Sequence, residues 1–219
     1  RRPPMTDIPA PLAEALDAQA IELPPMQVQR LDQYCRLLWE WNAKVNLTRH
    51  TDYHKFVARD LVDSLQLAAL LQPNECILDV GTGGGVPGVV LAIVRPDLKV
   101  ALCESVGKKA RAVADMVERM ELPIPVHHGR AEAVLEREPF DTLTIRAVAR
   151  LVKLLRWFKP HRDRFGRLLV VKGPSWVEER GEARHLGLMH DFQLRRAAEY
   201  PLPGTESKSV ILELRPGRS

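Results

Sequence analysis

Ten residues constrain this chain more than any others: Asp79-Val80-Gly81-Thr82-Gly83-Gly84-Gly85-Val86-Pro87-Gly88. They follow the apolar run Cys76-Ile77-Leu78-Asp79-Val80, which reads as a buried strand, and they open residues 88–95, which read as a helix. A glycine-rich turn between a strand and a helix is the first half of a βαβ unit. Glycine lets the main chain take positive φ and lets a ligand approach the backbone closely. Pro87 suits the first turn of the helix. Glu104 closes the next apolar run, 19 residues after Gly85. A carboxylate at that strand end can accept hydrogen bonds from both hydroxyls of a ribose.

The rest of the chain extends this unit. Residues 100–104, 125–128, 142–148 and 168–172 read as further strands, and 107–121, 150–159 and 175–188 as helices. Residues 192–200 and 208–215 alternate enough to add two strands. Such alternation implies βαβ units around a mostly parallel sheet. Upstream the texture is helical. Leu12, Leu16 and Ala20 mark a helix over 10–22, which Pro24-Pro25 interrupts. From Met26, Val28, Leu31, Cys35 and Leu38 form one stripe, with Trp41 beside it, and the segment 42–48 ends that helix. Phe56, Val57, Leu61, Leu65 and Ala68 point inward from a third helix, 53–71. We expect a helical extension over 1–73 on a core over 74–219, in one compact domain, as the length of 219 residues allows.

Composition narrows the setting. No apolar run approaches the roughly 20 residues that span a bilayer. Arg1-Arg2-Pro3-Pro4-Met5 is basic, yet no apolar signal-peptide core follows it. Cys35, Cys76 and Cys103 are scattered, and neither they nor the seven histidines have metal-ligand spacing. His127 and His128 are adjacent on a strand and face opposite ways. A cytoplasmic protein with reduced thiols, no metal and no membrane anchor is the expectation. The net charge of +4 is uneven: residues 1–128 carry 14 Lys and Arg against 16 Asp and Glu, residues 129–219 carry 18 against 12. A basic half suits a polyanionic partner, although a merely soluble basic surface has the same signature.

The glycine turn admits more than one ligand. Gly83-Gly84-Gly85-Val86-Pro87-Gly88 matches the dinucleotide fingerprint, so an NAD(P)-dependent oxidoreductase is one reading. Two details favour another. The glycines begin at Gly81, giving an acid-x-Gly-x-Gly-x-Gly array from Asp79 that resembles the first motif of class I S-adenosylmethionine-dependent methyltransferases. No later segment offers a second domain for hydride transfer. A purely structural turn is the third reading.

Several further segments make the resemblance specific. They are Trp41-Asn42-x-x-Val45-Asn46-Leu47-Thr48, Arg59-Asp60-Leu61-Val62-Asp63-Ser64, the glycine turn itself, Gly107-Lys108-Lys109, Arg130-Ala131-Glu132, Arg146-Ala147-Val148-Ala149 and Lys172-Gly173. In this order and spacing the chain resembles the bacterial family of guanine-N7 methyltransferases acting on small-subunit (16S) ribosomal RNA, known as RsmG or GidB. The chain departs from the family's common pattern at Asp60, where His is usual, at Ile145, where Ser is usual, and at Ser207-Lys208, where Arg and His are usual.

The resemblance implies a Rossmann-like class I methyltransferase sheet with helices on both faces, S-adenosylmethionine as methyl donor, and 16S rRNA or the small ribosomal subunit as partner of a monomeric enzyme. It assigns Asp79, Gly81, Thr82, Gly83, Gly85, Val86, Glu104, Ala131, Glu132 and Arg146 to the cofactor. Asn42, Asn46, Arg130 and Lys172 go to the RNA substrate, with a surface ion pair the equal alternative for Arg130 and Lys172, and Arg146 is also the catalytic candidate. Arg146 ends a predicted strand, where it can pair with the methionine carboxylate or an RNA phosphate, or with a protein carboxylate. Asn42 and Asn46 share a face only if their helix continues; otherwise Asn42 is a cap. Arg150, Lys153, Arg156 and Lys159 make a basic stripe that could track a phosphate backbone or be a solvated helix face. The implied chemistry needs no general base, because N7 carries an in-plane lone pair. Alignment alone can supply on the order of 7 kcal/mol of the barrier. A small-molecule methyltransferase, with a closed apolar pocket, and a non-catalytic RNA-binding protein are the remaining alternatives.

Overall fold

Pro25 occupies the first turn of the long helix that follows the Pro24-Pro25 interruption, where its missing N–H is no loss. In the computed structural model, which describes residues 9–217, this helix is α2 (Pro25–Asn42), preceded by α1 (Ala10–Asp17). The basic segment 1–5 lies outside the described residues. The stripe Val28, Leu31, Cys35 and Leu38 is buried, and Tyr34 joins it. The predicted third helix is not continuous: α3 (Tyr53–Lys55) and α4 (Val62–Ala68) flank a π-helical stretch, Phe56–Leu61. The first helix stops short of residue 22, with Ala20 at φ +49°.

Seven strands then form one sheet, in the order β3-β2-β1-β4-β5-β7-β6. They are β1 (Cys76–Val80), β2 (Lys99–Glu104), β3 (Val126–His128), β4 (Phe140–Arg146), β5 (Phe165–Lys172), β6 (Phe192–Pro201) and β7 (Lys208–Pro216). The first five pair in parallel; β7 is antiparallel to both β5 and β6. The intervening helices are α5 (Gly88–Val94), α6 (Gly107–Arg119), α7 (Ala131–Leu135), α8 (Leu151–Phe158) and α9 (Trp176–His185). α7 is short, five residues, with Glu132 in its first turn. β4 ends at Arg146 and not at residue 148, because Ala147 sits at φ +56°, which no strand accommodates.

Side chains alternate across the sheet and so divide the core in two. Ile77, Val100, Leu102, Leu169 and Ile211 face α5, α6 and the helices preceding β1. Leu78, Ala101, Leu143, Ile145, Leu168 and Val170 face α7, α8 and α9. The helices before β1 therefore share one apolar core with α5 and α6. At the amino-terminal end of the strands, buried Arg167 donates to Glu75 at 2.9 and 3.1 Å and to Thr142 Oγ1 at 2.8 Å. The glycine turn sits at the opposite, carboxyl end, where the strand order reverses between β1 and β4 and ligands bind in such sheets.

Candidate active site

The glycine turn is held from beneath by Asp79. Its Oδ2 accepts from Thr82 Oγ1 at 2.6 Å and from the Gly88 amide at 2.9 Å, and its Oδ1 accepts from Thr144 Oγ1 at 3.0 Å. Burial pushes the Asp79 carboxyl up to about 6, against the pull of these three donors. Asp79 and Thr82, assigned to the cofactor by resemblance, are both buried, and each spends its side chain inside the scaffold. Both side chains shape the turn from within. Gly81, Gly83 and Gly85 take φ of +66°, +57° and +105°. A Cβ on Gly88 would lie 2.2 Å from Leu102 Cδ2, so the helix meets the sheet there without room for a side chain. The N-terminal helices brace the turn's other side. Tyr34 donates to the Gly84 carbonyl at 2.8 Å, and half-buried Val86 packs on the same apolar cluster.

Glu104 ties the turn to the next βα unit. Its Oε2 accepts from the Gly83 amide at 2.9 Å and its Oε1 from the Val106 amide at 2.8 Å. Each oxygen keeps a further lone pair, so the carboxylate retains acceptor capacity for a diol. Beside it opens a cavity of about 290 Å³ that brings together Gly81, Ser105, Arg130, Ala131 and Glu132. Lys153 and Trp157 of α8 close its far side, the ammonium 5.0 Å from the ring centroid. Arg130, expected at RNA, lines this cavity as an exposed side chain at the start of α7.

A second cavity, of about 440 Å³, opens on the other side of the β4 end and includes Arg59, Asp63, Arg146, Lys172 and Ser207. Val148 lines both cavities, and a Cβ on Gly81 would stand 2.8 Å from Val148 Cγ2. Here two of the candidate residues are engaged by protein partners. Arg146 donates through Nε to Asp63 at 2.9 Å and through Nη2 to Asp60 at 2.6 Å, so those donors are not offered to a cofactor carboxylate or a phosphate. Burial opposes its charge, yet the two carboxylates outweigh that and raise its pKa above the usual arginine value. Tyr200 donates to Asp63 at 2.8 Å, and His50 Nδ1 lies 2.9 Å from Asp60. Lys172 is likewise spent, with Nζ 2.7 Å from both Glu179 Oε2 and the Ala149 carbonyl. Arg146 and Lys172 thus fix the two ends of the 146–149 segment, where Ala147 holds a left-handed backbone costing on the order of 1 kcal/mol.

The asparagine pair resolves in favour of capping. α2 stops at Asn42, whose Oδ1 accepts from the Leu47 and Thr48 amides at 2.8 and 2.9 Å. Asn46 is exposed and shares no helix face with it. The basic stripe on α8 is partly neutralised: Arg150 pairs with Glu182 and Lys159 with Asp191, both at 2.8 Å. Nothing in the sequence marks Tyr200, and Asp60, Asp63 and Val148 enter there only as members of resemblance motifs, with no role in the site. The available signal was two acids three residues apart in a motif that also holds Arg59.

Comparisons with known proteins give the chain's relatives. Residues 27–200 match the family GidB, described as rRNA small subunit methyltransferase G. The chain is 50% identical over 195 residues to a ribosomal RNA small subunit methyltransferase G of Rhodopirellula baltica, covering 89% of this chain and 84% of that one. It is 35% identical over 201 residues to the protein of the same name from Roseiflexus sp., covering 89% and 86%. Among solved structures, MtNAS in complex with S-adenosylmethionine superposes with a TM-score of 0.57 at 18% identity, covering 88% of this chain and 77% of that one. M. capricolum TrmK in complex with S-adenosylhomocysteine gives 0.56 at 15% identity, covering 71% and 68%. These two likenesses concern the fold alone, a seven-stranded sheet flanked by helices. Matched by the family over most of its length and by a relative at 50% identity, this chain belongs to the GidB family of rRNA small subunit methyltransferases G.

Proposed function

We propose that this protein transfers the methyl group of S-adenosylmethionine to N7 of a guanine in 16S rRNA, acting as a cytoplasmic monomer. Family membership over residues 27–200 carries the reading. The glycine turn and Glu104 supply a fitting nucleoside site beside it. In this reading the main chain at Gly81 and Gly83 approaches the methionine part and the Glu104 carboxylate takes the ribose hydroxyls. The backbone of Ala131 and Glu132 meets the adenine edge. When bound, the sulfonium supplies an electrophilic methyl group.

The remaining work falls to positioning. N7 needs no deprotonation, and Asp63, the one carboxylate among the described residues that line the second cavity, is held in an ion pair with Arg146 and accepts from Tyr200. Methylation makes the guanine cationic, so uncompensated cations against the base would oppose it. Arg146 and Lys172, which line that cavity, are matched by Asp60, Asp63 and Glu179. Arg146 thereby acts as a positioning residue for Ala147 and Val148. The division we propose, a helical extension up to residue 73 on a core from residue 74, gives the extension the task of bracing the glycine turn through Tyr34. Among the described residues no helix is long and apolar enough to cross a membrane.

Radiolabelled methyl transfer to 16S rRNA tests the proposal, run on naked RNA and on assembled small subunits. Strand scission specific for N7-methylguanine then locates the label. Incorporation at N7 in either substrate is expected. Binding of S-adenosylhomocysteine with no transfer to either would overturn it.

A further inference from the structure

The second cavity holds three arginine or lysine side chains among its described lining residues, and two are already neutralised. The third is Arg59. It stands in the last turn of the π-helical stretch Phe56–Leu61, is half-buried, and makes no side-chain hydrogen bond or ion pair among the described residues. π-Turns inside helices recur at functional sites. A guanidinium carries five donors in a planar fork, and leaving them unpaired while partly desolvated is costly. Such a group against a cavity is suited to an anion that arrives with the ligand.

Resting on the rRNA reading above, we propose that Arg59 grips a backbone phosphate of the RNA strand that delivers the target guanine to the second cavity. Three arguments select a phosphate. First, an arginine fork is matched to phosphate oxygens and binds them bidentately. Second, an arginine that reads guanine does so at O6 and N7, which would mask the atom to be methylated. Third, a cation placed on the base would oppose the positive charge that the product acquires. The cofactor's carboxylate is a poorer partner, because Arg59 lines only the second cavity, while Gly81 and Ala131 line the first and Val148 stands between. The hydroxyl of Ser207 shares the Arg59 cavity and offers the strand a neutral contact.

The test compares wild type with Arg59→Ala and Arg59→Lys in methylation of 16S rRNA, in RNA binding across a salt series, and in S-adenosylhomocysteine binding. For Arg59→Ala we expect the KM for RNA to rise about tenfold or more, as for loss of a charge-assisted bidentate contact, with a smaller change in kcat. The salt slope of RNA binding should flatten by about 0.7 to 0.9. Arg59→Lys should restore the slope but only part of the KM, because it keeps the charge and loses the fork. Affinity for S-adenosylhomocysteine should stay within a factor of two. Since Arg59 makes no side-chain bond among the described residues, Tm should hold. If Arg59→Ala nevertheless lowers it, the Arg59→Lys slope and KM decide. An unchanged KM and slope would overturn the inference, and so would a fall in S-adenosylhomocysteine affinity, which would assign Arg59 to the cofactor. Failure of wild type to methylate 16S rRNA would strike the functional reading instead. RNA binding, read without turnover, still judges Arg59 in that case.

Discussion

The two cavities on either side of Val148 are built by different means. The first is assembled from consecutive stretches: the glycine turn, the end of β2 and the start of α7. Its order comes from main-chain amides, two of them held by Glu104. The second is assembled from side chains far apart in sequence, with Asp60, Asp63, Arg146 and Tyr200 in one network and Lys172 with Glu179 in another. The difference separates two tasks. A soluble cofactor needs exposed backbone donors and acceptors on a rigid turn. Under the proposed function the second cavity receives a base that becomes cationic, so Arg146 and Lys172 are balanced in advance and Arg59 is left for a phosphate.

The largest effect is expected on the second cavity. Asp63→Ala leaves Tyr200 without its acceptor and Arg146 with one carboxylate only, and breaking a buried pair in this way should cost about 3 kcal/mol of stability. Chemical denaturation measures it. If the cavities are independent, S-adenosylhomocysteine affinity is unchanged at temperatures where the variant is folded. A parallel loss of affinity would make them one unit.

Next comes the buried acid beneath the turn. Because the Asp79 carboxyl is raised from 3.8 to about 6, the folded state holds a proton that the unfolded state releases in that range. Stability contributed by this group is therefore complete below about pH 4 and is lost as pH rises towards 6, by roughly 2–3 kcal/mol in all. Asp79→Asn can keep the bonds to Thr82, Gly88 and Thr144 while removing the titration. Its stability should be flatter between about pH 4 and 6 than that of wild type, as thermal unfolding across pH would record. Equal slopes would show that Asp79 is ionised in the folded protein throughout.

Glu104→Gln probes the first cavity. If the carboxylate takes a ribose diol, the change should weaken S-adenosylhomocysteine by about 1.5–3 kcal/mol by calorimetry. RNA affinity should be untouched, since Glu104 is remote from the second cavity's ion pairs. A loss of only a few tenths would remove Glu104 from the cofactor site.

The smallest effect is expected on α8. Arg150 is paired with Glu182 at the surface, and Lys153 lies over Trp157 at the first cavity. Arg150→Ala should shift stability by less than about 1 kcal/mol. It should also leave the salt slope of RNA binding unchanged. A slope flattened by 0.7 or more in that variant would restore the basic stripe as an RNA contact.

What the sequence determined by itself was the local order. The turn from Gly81 to Gly88, the strand before it and Glu104 after it were readable because each depends on neighbours within one βα unit. Positive φ and close helix–strand approach both select glycine there. The alternation of strands and helices was readable for the same reason, as was the helical stretch before β1. Tertiary structure alone decided what the charged side chains do. Arg146 meets Asp63 and Asp60 across 83 and 86 residues, and Tyr200 meets Asp63 across 137. No periodicity encodes such distances, so the sequence leaves Arg146 and Lys172 open between a ligand and a protein carboxylate, and the packed chain shows the carboxylates. Asn42 and Asn46 depended on where α2 stops, which the cap at Leu47 and Thr48 fixes. A charge in a sequence is a donor or acceptor without a partner; only the packed chain shows which charges have found theirs and which, like Arg59, have none among the described residues.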